Sequence, residues 1–371
     1  MSVSNAGTEV GRAGAVLSVD LGAIADNYRL LGARAFPAQC AAVVKADAYG
    51  LGARQVVPAL GRAGCRTFFV AHLDEALALQ HCLPAGGRIH VLNGLPQGAE
   101  RDAVAAGVVP VINSLGQLSA WRRCASATGN RLAATLQVDT GMSRLGLPPG
   151  EAIAIASDPS LLEGIEPVLL MSHLACADEP DHPANEAQRK RFAGLRARFP
   201  SAPASLANSS GIFLGPAYHW ELARPGAALY GINPTPGKPN PMRQVVRLSA
   251  RLIQSREIAA GAGIGYGHDL VAAGPARLAT ISLGYADGWH RRYGAAAAFW
   301  NGHRLPIAGR VSMDTTIVDI SAIPRDCIDA GTLVDLICKQ QDPDDLAAMA
   351  GTIGYEVLTS LGRRFHRRFV G

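Results

Sequence analysis

The chain has 371 residues, 48% of them hydrophobic and 18% charged, with a formal net charge of +5. That length exceeds one small domain and fits a large barrel with an appended unit, and the apolar content suffices for a sizeable core. The charge excess is mild and much of it sits in the tail "GRRFHRRFVG", which speaks against nucleic acid as a partner, and no apolar run nears the roughly 20 residues that span a membrane.

In chain order, residues 1–14 are small and polar, lack a signal-peptide core, and read as a disordered lead-in to a cytoplasmic protein. Short apolar runs then alternate with helical-period segments: "AAVVK", "TFFVA", "RIHVL", "VVPVI", "LAATLQVD", "PVLLMSHL", "ASLAN" and "ELARPG". Strand and helix in alternation imply a parallel sheet, and about eight such units imply a closed (β/α)8 TIM barrel, expected over residues 15–240. The segment "INPTPGKPNPMRQ" marks a boundary. Beyond it, strand-like runs with Gly/Pro turns and one late helix near "DPDDLAAMAG" predict a mostly β C-terminal domain over residues 241–371. The arginine-rich tail reads as a solvated strand edge. Seven scattered cysteines without a CxxC pair read as reduced thiols, neither a disulfide framework nor a metal site.

Barrel enzymes place their chemistry at the C-terminal ends of the strands. Here those ends offer Lys45, Arg144 in the loop "TGMSRLG", His173, Asn208, Ser209 and Arg224. Taken singly, each has a plain structural reading: a solvated lysine, a satisfied histidine, surface ion-pair arginines, a helix cap. Converging on one mouth, they form a site for a phosphorylated, carboxylate-bearing ligand. A desolvated lysine loses its proton more easily and attacks carbonyls. The aldehyde that suits such a mouth is pyridoxal phosphate, its phosphate on the amides of "NSSG" and "RPGA" and on tyrosine hydroxyls.

The motifs "VVKADAYGLGA", "VDTGMSRLG", "SHLACADEP", "LANSSG", "ARPGAALYGINP", "GYADGWHRR", "GRVSMD" and "GYEV" together resemble those of the alanine racemase family, in family order and over most of the chain. The resemblance implies a fold-type III pyridoxal phosphate enzyme acting on alanine in a two-base mechanism, a cytoplasmic homodimer with shared active sites, supplying D-alanine for peptidoglycan. By resemblance, Lys45 corresponds to the lysine that binds the cofactor and is the base on the D face. Tyr285 corresponds to the base on the L face, supplied by the partner subunit. Arg144 and the Met313 amide correspond to the carboxylate contacts, with Arg144 also touching the cofactor. His173 corresponds to the ring packed on the cofactor, and Arg224 to the guanidinium facing its ring nitrogen. Tyr49, Ser209, Gly226, Ala227 and Tyr355 correspond to phosphate contacts, and Asp178 and Arg310 to the substrate entrance. Asn208 joins the cofactor-binding set through its place at the strand end.

Racemisation needs two bases on opposite faces of one carbon. A tyrosine titrates near 10 in water, so Tyr285 needs neighbouring positive charge, for which His173 and Arg224 are the candidates. The chain departs from the family pattern at Gln137, where many relatives carry a lysine modified to a carbamate. An amide cannot be so modified; it can accept a hydrogen bond from Arg144 but brings no charge, or a bound anion replaces the missing one. Two other readings stay open: a racemase of broader range acting on serine or basic amino acids, and a pyridoxal phosphate binder without activity.

Overall fold

The computed structural model of the chain describes residues 11–371. They form two compact units, one of residues 22–243 and one that joins residues 11–21 to residues 244–371.

The first unit is a barrel. Seven parallel strands follow one another in chain order: Ala42–Val43, Thr67–Val70, Arg88–Val91, Val109–Ile112, Leu132–Gln137, Ile165–Met171 and Ala204–Ser205. The eighth, Leu222–Ala223, pairs in parallel with Gln39–Cys40, the stub just before the first strand. Backbone bonds close the ring on both sides of it. Glu221 and Arg224 donate to the carbonyls of Ala204 and Ala207 at 3.1 and 2.9 Å, while Ala41 and Val43 donate to Ala223 and Pro225 at 2.9 Å. Closure leaves no exposed edge. The strands are continuous apolar runs because both faces are covered, by side chains inside and helices outside; Phe68, Phe69, Val70 and Val111 are fully buried.

Helix ends are set by local chemistry. The helix Leu115–Thr128 starts where Ser114 Oγ accepts from the Gln117 amide and stops at Gly129, whose φ of 65° favours glycine. In the helix Leu21–Ala35, buried Asn27 donates to the Leu229 and Arg243 carbonyls and accepts from the Arg243 amide. It thereby ties the start of the barrel unit to its end.

The second unit is built on an eight-stranded sheet in the order His303–Pro306, Ala297–Trp300, Leu333–Ile337, Val246–Ile258, Ala15–Asp20, His366–Val370, with Ala276–Ile281 and Thr316–Asp319 joined beside Val246–Ile258. The strand Ala15–Asp20 departs from the expected barrel span of 15–240. It runs antiparallel to Val246–Ile258 and parallel to His366–Val370. Its apolar alternation suits a half-buried strand anywhere, and pairing across more than 200 residues leaves no local mark. The lead-in is shorter than expected as well: Arg251 donates to the carbonyls of Ala13 and Gly14, and residues 1–10 of that expectation lie outside the described residues. The tail strand ends the sheet as an arginine-bearing edge. Two late helices replace the single one expected, Pro343–Ala350 and Gly354–Ser360.

Among the described residues no helix is long and apolar enough to cross a membrane. All seven cysteines are free.

Candidate active site

Lys45 leaves the first barrel strand and enters an unusual turn. Ala46, Asp47, Ala48 and Tyr49 all have φ between 53 and 56°, a left-handed turn made without glycine. Each such residue costs roughly 1–2 kcal/mol. Specific bonds hold the turn in place: Ala46 N–H donates to Glu75 Oε1 at 2.5 Å, and Asp47 Oδ1 accepts from the Ala53 amide at 2.8 Å. Glu75 is itself fixed by the Ala71 and His72 amides on Oε2. The turn brings Tyr49 against Gly226, where a Cβ would lie 2.4 Å from the phenol oxygen. Burial, followed by the charge of Arg144, lowers the Lys45 pKa below its ordinary value, against the opposing pull of Glu75. A nucleophilic amine needs this shift.

Arg144 sits in a loop organised by Asp139, whose Oδ1 accepts from the amides of Gly141, Met142 and Ser143. The loop returns to its own strand: Leu147 donates to the Gln137 carbonyl at 2.8 Å and Asp139 to the Leu147 carbonyl at 2.9 Å. Gly146, at φ 111°, has backbone 2.9 Å from where a Cβ would stand, so only glycine fits this return. Gln137 is buried at the strand end. Among the described residues its side chain makes no hydrogen bond with Arg144, so the amide does not hold the guanidinium as the sequence allowed.

His173 is pushed down to about 3 by burial, then by the charges of Arg224, Arg144 and Lys45. Three cations thus act on one imidazole. The ring is therefore neutral near pH 7, contrary to the expectation that it supplies positive charge, and Arg224 remains as the cation of that pair.

Arg224 is 3% exposed and makes no ion pair among the described residues. It donates to Ser205 Oγ and, at 2.6 Å, to the Ser172 carbonyl. Burial lowers its pKa to about 9, still above neutrality. A buried cation without a carboxylate is a costly arrangement that an acceptor on a bound ligand would relieve. Nearby, Ser209 Oγ accepts from the Gly226 and Ala228 amides at 3.0 and 3.2 Å. Ala227 opens the short turn Ala227–Tyr230, and Asn208 Oδ1 accepts from the Gly211 amide. Asp178 is exposed in the loop after His173.

The rest of the predicted set lies in the second unit. Tyr285 opens the turn Tyr285–Asp287 and Met313 lies in the facing segment: the Tyr285 amide donates to the Ser312 carbonyl and the Ala286 amide to the Met313 carbonyl, both at 3.0 Å. The two residues are 41% and 53% exposed. Arg310 pairs with Asp269, and Tyr355 lies on the helix Gly354–Ser360.

Several supporting residues escaped the sequence reading: Glu75, Gln188, Asp287, Asp314 and Arg364. Asp287 and Asp314 stand inside "GYADG" and "VSMD", so the motifs themselves carried that signal. Gln188 had none, and Arg364 belongs to the tail read as a solvated strand edge, whereas it precedes the strand His366–Val370 and pairs with Asp287 and Asp314.

The family models for the alanine racemase N-terminal domain and the alanine racemase C-terminal domain match residues 19–234 and 245–369. The chain belongs to the alanine racemase family. Relatives in this family include proteins named catabolic alanine racemase from Mesorhizobium japonicum, 61% identical over 97% of this chain and 94% of that one, and from Agrobacterium fabrum, 52% identical over 97% and 93%. Among solved structures, the alanine racemase from Bartonella henselae with covalently bound pyridoxal phosphate aligns with a TM-score of 0.92 at 42% identity, covering 96% of this chain and all of that one. As alanine racemase folds go, this one keeps the barrel and the β unit along nearly its whole length.

Proposed function

We propose that the chain interconverts L-alanine and D-alanine using pyridoxal phosphate held at Lys45. The observation that carries this reading is the barrel mouth itself: an amine with a lowered pKa beside a neutral imidazole, an exposed guanidinium and a buried guanidinium without a carboxylate. The residues fit the cofactor. Lys45 offers an amine that burial disposes to lose its proton for its aldehyde, Arg224 a donor for its ring nitrogen, and Tyr49, Ser209, Gly226, Ala227 and Asn208 a small polar pocket for its phosphate, to which Tyr355 adds a phenol.

When bound, the cofactor supplies an electron sink that acidifies the α-hydrogen of an amino acid. Lys45 Nζ exchanges the proton on the D face, and the Tyr285 phenol oxygen exchanges it on the L face, each acting as acid for the reverse direction. Arg144 and the Met313 amide hold the carboxylate so that the α-hydrogen points at one base or the other. Arg224, being charged, keeps the ring nitrogen from taking a proton. Asp178 and Arg310 line the approach. Tyr285 and Met313, exposed in a single chain, are covered when a second copy completes the site, which supports a homodimer as the active form; its place in the cytoplasm rests on the sequence and its resemblance alone.

Solvent deuterium exchange at the α-carbon tests this directly. The wild type should exchange both alanine enantiomers in preference to serine or basic amino acids, Lys45→Ala should bind no cofactor covalently, and Tyr285→Phe should lose exchange from L-alanine. Exchange from L-alanine that survives the tyrosine change overturns the two-base assignment.

Two uses of the product compete. Supply of D-alanine to peptidoglycan predicts that a deletion strain requires D-alanine. Breakdown of alanine, favoured by the catabolic names of the two relatives, predicts a strain that grows without D-alanine but poorly on alanine as nitrogen source.

A further inference from the structure

Arg364 lies 77 and 50 residues along the chain from Asp287 and Asp314, yet its guanidinium is shared between the two segments of the second unit that carry Tyr285 and Met313. Nε and Nη2 donate to Asp287 Oδ1 and Oδ2 at 2.6 and 2.9 Å, and Nη1 donates to Asp314 Oδ1 at 2.7 Å. Asp287 is two residues after Tyr285 and Asp314 is next to Met313.

The two segments are already in close contact. Besides the two backbone bonds, a Cβ on Gly284 would lie 2.3 Å from the Met313 carbonyl oxygen, so the two backbones meet too closely to admit a side chain there. Asp287 is 5% exposed, and its Oδ2 also accepts from the Gly284 amide at 3.0 Å, which makes its carboxylate the inner anchor of the tyrosine turn. Asp287 and Asp314 are like charges that repel if nothing stands between them. A planar guanidinium, with donors in a fixed fork, binds one carboxylate with two bonds and still reaches a second; an ammonium lacks that geometry.

We propose that Arg364 is a positioning residue that locks the Tyr285 turn and the Met313 segment into one relation, so that the proton-transferring phenol and the carboxylate-binding amide are set together. The inference rests on the alanine racemase reading and adds to it a residue through which the L-face base and the carboxylate contact are coupled. Arg364 touches neither substrate nor cofactor in this role.

The test uses the holoenzyme of the wild type, Arg364→Ala, Arg364→Lys and Asp314→Asn, each followed by α-deuterium exchange from saturating L-alanine and D-alanine and by KM. Arg364→Ala should slow exchange from L-alanine by at least about tenfold more than exchange from D-alanine, with a higher KM for both enantiomers. Arg364→Lys should fall between it and the wild type. Asp314→Asn, which frees only the Met313 arm, should raise KM while the ratio of L to D exchange stays near that of the wild type. Equal losses at both faces, the mark of a general structural role, overturn the proposal, as do wild-type values for Arg364→Ala. If Arg364→Ala gives no folded holoenzyme, the lysine and asparagine variants decide by the same ratio and the same KM. Should the wild type exchange neither enantiomer, the functional reading fails and this one with it; if the wild type and Tyr285→Phe behave as expected and the Arg364 variants do not, only this inference fails.

Discussion

Gln188 donates from Nε2 to the carbonyl oxygen of His173 at 2.9 Å. The same amide donates to Thr140 Oγ1 at 3.2 Å and accepts from the Ala175 amide at 2.9 Å. One buried side chain on the helix Pro183–Arg196 therefore links the strand end of His173 to the loop of Arg144. Thr140 Oγ1 is also 2.7 Å from Ser172 Oγ, and the Ser172 carbonyl accepts from Arg224, so the linkage extends to the buried cation. Gln188→Leu leaves these partners buried and unsatisfied, each at about 1–3 kcal/mol. Urea unfolding should show a loss of about 2 kcal/mol or more, and kcat for alanine should fall together with it.

Gly226 has no room for a side chain. An added Cβ meets the Tyr49 phenol oxygen at 2.4 Å and Val43 Cβ at 3.3 Å. Gly226→Ala should push Tyr49 off its place at the end of the left-handed turn and weaken pyridoxal phosphate binding by roughly tenfold or more, about 1.4 kcal/mol, read by titrating the apoprotein and following absorbance.

His90 makes stability depend on pH. It is 4% exposed inside the barrel, stacked on Phe69 at 4.7 Å between ring centroids, with Nδ1 2.9 Å from Thr135 Oγ1. Burial, and then the charge of Arg88, pushes its pKa down from 6.5 to about 3. Between those values the unfolded chain binds a proton that the folded one does not, so stability falls as pH drops from 6.5 toward 3 and the full cost is present below about 3. Urea melts from pH 4 to pH 7 should show a shallower pH slope for His90→Gln than for the wild type, by at most about 1.4 kcal/mol per pH unit.

Gln137 decides the response to bicarbonate. Its carboxamide cannot form the carbamate, and it supports the Arg144 loop through its backbone carbonyl. Racemisation rates measured after degassing should match those with added bicarbonate. A strong rise on adding bicarbonate would show a carbamate elsewhere in the site.

Much of the barrel half was legible because local pattern and position coincide there. Continuous apolar runs predict buried parallel strands, and the barrel rule then selects Lys45, Arg144, His173 and Arg224 from their places just after those runs. What the pattern could not carry was partnership. The alternation in Ala15–Asp20 says that one face is buried, not that its neighbours are Val246–Ile258 and His366–Val370. The left-handed turn after Lys45 has no glycine to announce it, since distant groups such as Glu75 hold it. Gln188 and Arg364 reach partners 48 and 77 residues away. By itself the sequence determined the family, the order of the strands and the chemical types at their ends, because those follow from periodicity and motif. The tertiary structure alone decided which charge is buried without a carboxylate, which imidazole is neutral and which side chains hold the site residues still, because desolvation and hydrogen bonding act between groups that only folding brings together.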